Sequence, residues 1–149
     1  MRILLVCLGN ICRSPMAVGA LRAKAEAAGL GLEVEGAGTA GYHVGEPPDA
    51  RAVRAAARRG FDISMLRARQ AKAADFGAFD LIYAMDRANL AALARLRPAG
   101  ARAELKLFMD EAPGAWPAEV PDPYYDDRFD AALDLIEAAA EALVARLRA

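Results

Sequence analysis

Aliphatic hydroxyl and amide side chains are almost missing from this chain: two Ser, one Thr, two Asn and one Gln stand among 149 residues, with one His and two Cys. Two cysteines do not frame a disulfide scaffold, and one His with two Cys falls short of a structural zinc site. No apolar run approaches the ~20 residues of a membrane-crossing helix. Neither sign of charge prevails: 19 Lys and Arg balance 20 Asp and Glu, for a net charge of -1 and a pI near 5.9. The 16 Arg are scattered, so neither nucleic acid nor an anionic membrane is indicated as a partner. Met1-Arg2 followed by Ile3 to Gly9 imitates a secretory leader, but Asn10 and Arg13 cut the run short and no small-residue cleavage site follows, so a cytoplasmic protein is expected. Repeats, low-complexity runs and linkers are absent as well. The expectation is one domain over 1–149, burying about two thirds of its unfolded surface. The scarcity of amides fits a thermophilic source, and fits equally a GC-rich genome with its 37 Ala.

Against that scarcity one stretch stands out, Arg2-Ile-Leu-Leu-Val-Cys7-Leu-Gly-Asn-Ile-Cys12-Arg13-Ser14-Pro15. A short apolar run ends at Cys7, a loop with Gly9 and Asn10 follows, and Ser14-Pro15 reads as an N-cap with proline at the first helical position. In this composition Arg falls six positions after a Cys with a chance of roughly 16/149, and Ser or Thr next with roughly 3/149. Coincidence would produce the pattern about 2 times in 1000 per cysteine.

These residue types suit one kind of chemistry. Backbone N–H groups of Leu8, Gly9, Asn10, Ile11, Cys12 and Arg13, curled where a helix opens, form a cradle for a tetrahedral anion such as phosphate, sulfate or vanadate. Arg13 offers a planar fork to two of its oxygens. Cys7 lies at the base, where the same positive field favours the nucleophilic thiolate, and Ser14 is near enough in sequence to donate to its sulfur. Gly9 and Asn10 suit a loop that needs a left-handed residue. The plainer readings are a small core hydrophobe for Cys7, a surface arginine for Arg13 and a turn residue for Asn10. The strand, loop and helix context favours the nucleophile, the clamp and a loop-holding amide instead.

The stretch resembles the signature of the low-molecular-weight protein tyrosine phosphatases. Gly38-Thr39-Ala-Gly-Tyr42-His43-Val-Gly45-Glu-Pro-Pro-Asp49 resembles that family's substrate-wall loop, Met85-Asp86-Arg-Ala-Asn89-Leu90 its fourth-helix start, and Asp122-Pro123-Tyr124-Tyr125 its general-acid loop, all in the family's order. The resemblance implies hydrolysis of phosphotyrosine proteins without metal or other cofactor, with Cys7 as nucleophile, Arg13 as phosphate clamp and Asp122 as proton donor and later base. By spacing alone Asp126 and Asp127 compete for the acid's role; the resemblance selects Asp122 and leaves those two as a solvated cap for the last helix. Tyr42 and Tyr124 read either as loop aromatics or as pocket walls that stack on a phenyl ring, the second being favoured. His43 reads as structural, and Ser64, Asp86 and Asn89 as supports or caps. The five-residue offset of Cys12 from Cys7 allows a reversible disulfide, which the family's similar pair suggests as protection against oxidation, or a packed loop thiol. Three rivals are set beside this reading: a phosphoprotein-binding module without catalysis, a thiol redox switch, and an arsenate reductase. The last needs further cysteines, and none follows Cys12. A monomer is the default.

Along the chain, helices are expected at Pro15–Ala28, Ala50–Arg59, Ala71–Phe76, Asp86–Arg97 and Phe129–Leu147. Strands are expected up to Cys7, at Leu32–Gly36, Asp80–Ala84 and Glu104–Met109, with an irregular functional segment over Asp110–Asp127. Alternating strands and helices give an α/β, three-layer, doubly wound fold with a four-stranded parallel sheet of flavodoxin-like order 2-1-3-4 and about five helices. Ligands of such sheets bind at the carboxyl ends of the strands, where Cys7 falls.

Overall fold

A computed structural model describes residues 1–149. Strand β1 (Arg2–Cys7) is buried from Ile3 to Cys7, as a strand covered on both faces must be. Beside it lie β2 (Glu33–Gly38) and β3 (Leu81–Ala84), with β4 (Glu104–Leu107) beyond β3. All pairs are parallel and the order is β2-β1-β3-β4, the expected 2-1-3-4.

Successive residues of a strand point to opposite faces, so β1 feeds two cores. Ile3, Leu5 and Cys7 join the larger one with α1 (Arg13–Ala27), α2 (Ala50–Arg58) and α5 (Phe129–Arg148). Leu4 and Val6 join the smaller one, which α3 (Asp75–Ala78) and α4 (Arg87–Leu96) cover through Phe76 and Leu93. The apolar stripe of α5, with Leu133, Ile136, Ala140 and Leu143, is fully buried. No helix is long and apolar enough to cross a membrane.

Several boundaries differ from expectation. Helix α1 begins at Arg13, not Pro15, and Ser14 is not its N-cap: Cys12 holds that place without a side-chain cap bond, while the Ser14 hydroxyl turns back towards Cys7. Strand β2 runs through Gly36 to Gly38, because its glycines pair in register with Leu5 and Cys7 of β1. Helix α3 lies later than Ala71–Phe76, because the Asp75 carboxylate accepts the Lys72 N–H at 2.8 Å and makes 72–75 a turn. Strand β4 stops at Leu107, and a single 3-10 turn follows over Phe108–Glu111. Arg128 stands at the N-cap of α5; Asp126 accepts its N–H at 3.1 Å, whereas Asp127 pairs with Arg51 instead of capping.

Candidate active site

Strand β1 lies between β2 and β3, and its carboxyl end opens into the crevice where connections leave to the two faces. The loop after Cys7 is fastened on both flanks. Thr39 N–H donates to the Cys7 carbonyl and Ala40 N–H to that of Leu8, both at 2.9 Å, and Asp49 N–H donates to the Ile11 carbonyl at 2.8 Å. Gly38 makes the first two bonds possible: a Cβ there would stand 2.7 Å from the Leu8 carbonyl oxygen and 3.1 Å from Gly9 carbon.

Within the loop, Asn10 adopts φ 58°, in the left-handed region expected of Gly9 or Asn10. Its N–H points at Cys7 Sγ, 3.3 Å away. Its side chain is held at both ends, Oδ1 accepting the Arg69 N–H at 3.1 Å and Nδ2 donating to Ser14 Oγ at 2.7 Å. With that donor on its oxygen, Ser14 has its own proton to give; Cys7 Sγ is 3.1 Å away and the Ala37 carbonyl 3.5 Å. Two donors thus converge on one sulfur, an arrangement that suits a thiolate.

Arg13 is 3% exposed. Its Nη1 donates to Asp86 Oδ2 at 2.6 Å and to the Val120 carbonyl at 3.0 Å, and Nη2 lies 3.7 Å from Asp122 Oδ2. Burial pulls the pKa of Arg13 down, but the negative charge of Cys7 and the bond to Asp86 outweigh it and hold it above the ordinary arginine value. Asp86 also caps α4, its Oδ1 accepting the Asn89 N–H at 2.8 Å. Asp122 Oδ1 accepts the Tyr124 N–H at 3.1 Å, which turns the carboxyl back over its own loop. Burial, followed by the negative field of Asp49, pushes the Cys12 thiol well above the usual range, so it stays neutral. Both cysteines are free and buried.

The cavity above Cys7 is narrow, about 170 Å³, and is lined by Leu8, Gly9, Ile11, Cys12, Arg13 and Asp122 with an aromatic rim of Tyr42, His43, Tyr124 and Tyr125. Among the residues expected to act or to bind substrate, Asn10 and Ser14 stand behind this wall and the others line it, whereas Ser64, Asp86, Asn89, Asp126 and Asp127 lie outside the lining. Tyr42 and Tyr125 are largely exposed, 75% and 84%, and Tyr124 is half covered. Asp86, read from sequence as a support or cap, is both, and Val120 and Arg69 are site neighbours that spacing did not reveal, since their contacts span 107 and 59 residues. His43, bonded to Glu46 through Nδ1 at 2.9 Å, sits on the rim; its place inside the wall loop was the one available signal.

A family model described as low molecular weight phosphotyrosine protein phosphatase matches residues 2–149. The chain is 42% identical over 154 residues to the low molecular weight protein-tyrosine-phosphatase of Streptomyces coelicolor, covering 99% of this chain and 93% of that one. Among solved structures, the protein tyrosine phosphatase of Entamoeba histolytica with Hepes in its active site superposes with a TM-score of 0.93 at 34% identity, covering 99% of this chain and 96% of that one. A Drosophila arginine phosphatase superposes with a TM-score of 0.92 at 30% identity, covering 100% of this chain and 99% of that one. Fold, loop and likeness over the full length agree, and the chain belongs to the low molecular weight phosphotyrosine protein phosphatase family.

Proposed function

We propose that the protein is a phosphotyrosine phosphatase that hydrolyses aryl phosphate monoesters through a phosphocysteine. The Cys7 thiolate attacks phosphorus in line; the S–P bond forms as the P–O(aryl) bond breaks, and the departing oxygen takes a proton from Asp122. Water then attacks phosphorus, gives its proton to Asp122, and displaces the thiolate with release of inorganic phosphate. Loop N–H groups and the Nε–Nη2 edge of Arg13 hold the equatorial oxygens through both steps, since Asp86 and Val120 already occupy Nη1. Leu8 and Ile11 with the tyrosine rim give a flat apolar slot suited to one phenyl ring. A phenolate leaves far more readily than an alkoxide, so phosphoserine is a poor substrate.

The observation that carries this reading is the pair of donors on Cys7 Sγ at the floor of a pocket that also presents Arg13 and Asp122. The test is hydrolysis of 4-nitrophenyl phosphate with a chelator present. Activity is expected to persist with chelator, to be inhibited by orthovanadate, to fall by at least ~10³-fold in Cys7→Ser, and to fall roughly 10²-fold in Asp122→Ala. Phosphotyrosine binding without phosphate release would turn the reading into a binding module. Because one structural relative is an arginine phosphatase, a phosphoarginine peptide belongs in the assay. The aromatic slot predicts a strong preference for the phosphotyrosine peptide, and the opposite preference would overturn the substrate assignment.

A further inference from the structure

We propose that Arg51, at the start of α2 and outside the pocket lining, is a positioning residue for the general acid. The inference rests on the reading of Asp122 as that acid. The loop that carries Asp122 is pinned at its near end, where Val120 N–H donates to the Met85 carbonyl at 2.9 Å and the Val120 carbonyl accepts from Arg13. Beyond Asp122 the nearest regular element is α5, which starts at Phe129. Across that span the carboxyl makes one hydrogen bond, to the Tyr124 N–H, while Arg13 Nη2 stands 3.7 Å from its other oxygen, so whatever holds Tyr124 in place helps to hold the acid.

Arg51 fixes it from several directions. Its Nε and Nη2 are gripped by the two oxygens of Asp49, at 3.0 and 2.9 Å, and Asp49 is itself the N-cap of α2. The fork is therefore held in place before it touches the loop. Its Nη1 then donates to the Tyr124 carbonyl and to Asp127 Oδ1, both at 3.2 Å, so four of its five N–H groups have partners. The guanidinium plane also covers the rings of Tyr124, 5.3 Å from the centroid, and Phe129, 4.8 Å from the centroid. Asp127, at φ 64°, closes the turn by donating its N–H to the Pro123 carbonyl at 2.9 Å. Carbonyl, ring and turn are thus tied to a helix that does not otherwise belong to the loop. A partly exposed ion pair by itself contributes little. The specificity lies in a pre-gripped planar fork, which a lysine cannot reproduce.

A misplaced acid harms poor leaving groups most, because good ones depend less on the proton. The experiment compares kcat/KM for phenyl phosphate and 4-nitrophenyl phosphate in the parent, Arg51→Met, Arg51→Lys and Asp122→Asn. Arg51→Met is expected to lose roughly tenfold on phenyl phosphate and no more than about twofold on 4-nitrophenyl phosphate, with Arg51→Lys in between. The inhibition constant of inorganic phosphate should stay put in both Arg51 variants, since the cradle is untouched. Equal losses on the two substrates, no loss at all, or weakened phosphate inhibition in parallel would overturn the proposal in favour of a general structural role. If Asp122→Asn itself fails to discriminate between the substrates, the acid assignment falls and the inference with it. If Asp122→Asn discriminates and both Arg51 variants do not, only the inference falls.

Discussion

Asn10 joins three parts of the molecule that are distant in sequence: its backbone faces Cys7, its amide nitrogen serves Ser14, and its oxygen is held by Arg69. The space beside it is guarded by a glycine. A Cβ at Gly36 would stand 2.9 Å from Asn10 Nδ2 and 3.3 Å from Val18 Cγ2. Gly36→Ala should therefore push the amide off Ser14, lowering kcat roughly tenfold and weakening vanadate inhibition several-fold, while the midpoint of thermal unfolding drops by only a few degrees. Steady-state kinetics beside a melting curve checks this, and unchanged kinetics would remove Asn10 from the account. Cys7, Arg13 and Ser14 were legible because their spacing is local and because Cys and Ser are scarce in this chain. Ser14 was misread as a cap, since the same short hydroxyl serves a backbone N–H or a sulfur equally well and only the loop's curl decides which. Arg69 was not legible, because it reaches the site through a main-chain N–H, which any residue but proline would supply.

Helix α4 shows how one element does two jobs. Asp86 at its N-cap gives one oxygen to the helix and the other to the buried guanidinium of Arg13. Asp86→Asn, still a good cap, should keep most of the stability, whereas Asp86→Ala should cost about 2 to 3 kcal/mol from the lost cap and the unpaired buried charge. Both should lower turnover more than tenfold, which denaturant titration and kinetics together would resolve; full activity in either would show that Arg13 needs no such support. Elements read by long periodic faces, α5 above all, were placed almost to the residue. The errors fell where chemistry overrides propensity. Gly38 looks like loop and is strand, because the main chain of Leu8 and Gly9 packs against it where a side chain would not fit. The stretch before α3 looks helical and is a turn, because Asp75 is spent on the Lys72 N–H and the Arg69 fork at 3.1 Å.

Outside the pocket lining, Glu111 binds β3 and β4 to the last helix. It accepts from Tyr83 of β3 and Arg146 of α5 and pairs with Lys106 of β4 at 3.2 Å. Burial opposes its ionisation, yet these donors, Arg146 foremost, bring its pKa from the ordinary 4.5 down to about 2. Its contribution to stability, about 2 to 3 kcal/mol, is therefore present above pH ~4.5 and fades as the pH falls towards 2. Urea unfolding of Glu111→Gln against the parent should show that gap at pH 7 and a much smaller one near pH 3; a gap independent of pH would remove the carboxylate's charge as its cause. Topology at this scale was the easiest level to read, since four short apolar strands separated by helices leave few right-handed windings. The two bare glycines of β2 have one last consequence. Gly38 lets main chain rest on main chain and Gly36 leaves room for the Asn10 amide, so substitutions cannot retune the floor of the pocket without dislodging it. Diversity of target among such enzymes must then be written in the tips, around Tyr42 and Tyr124–Tyr125, and exchanging those tips between relatives is the practical route to redirecting this one.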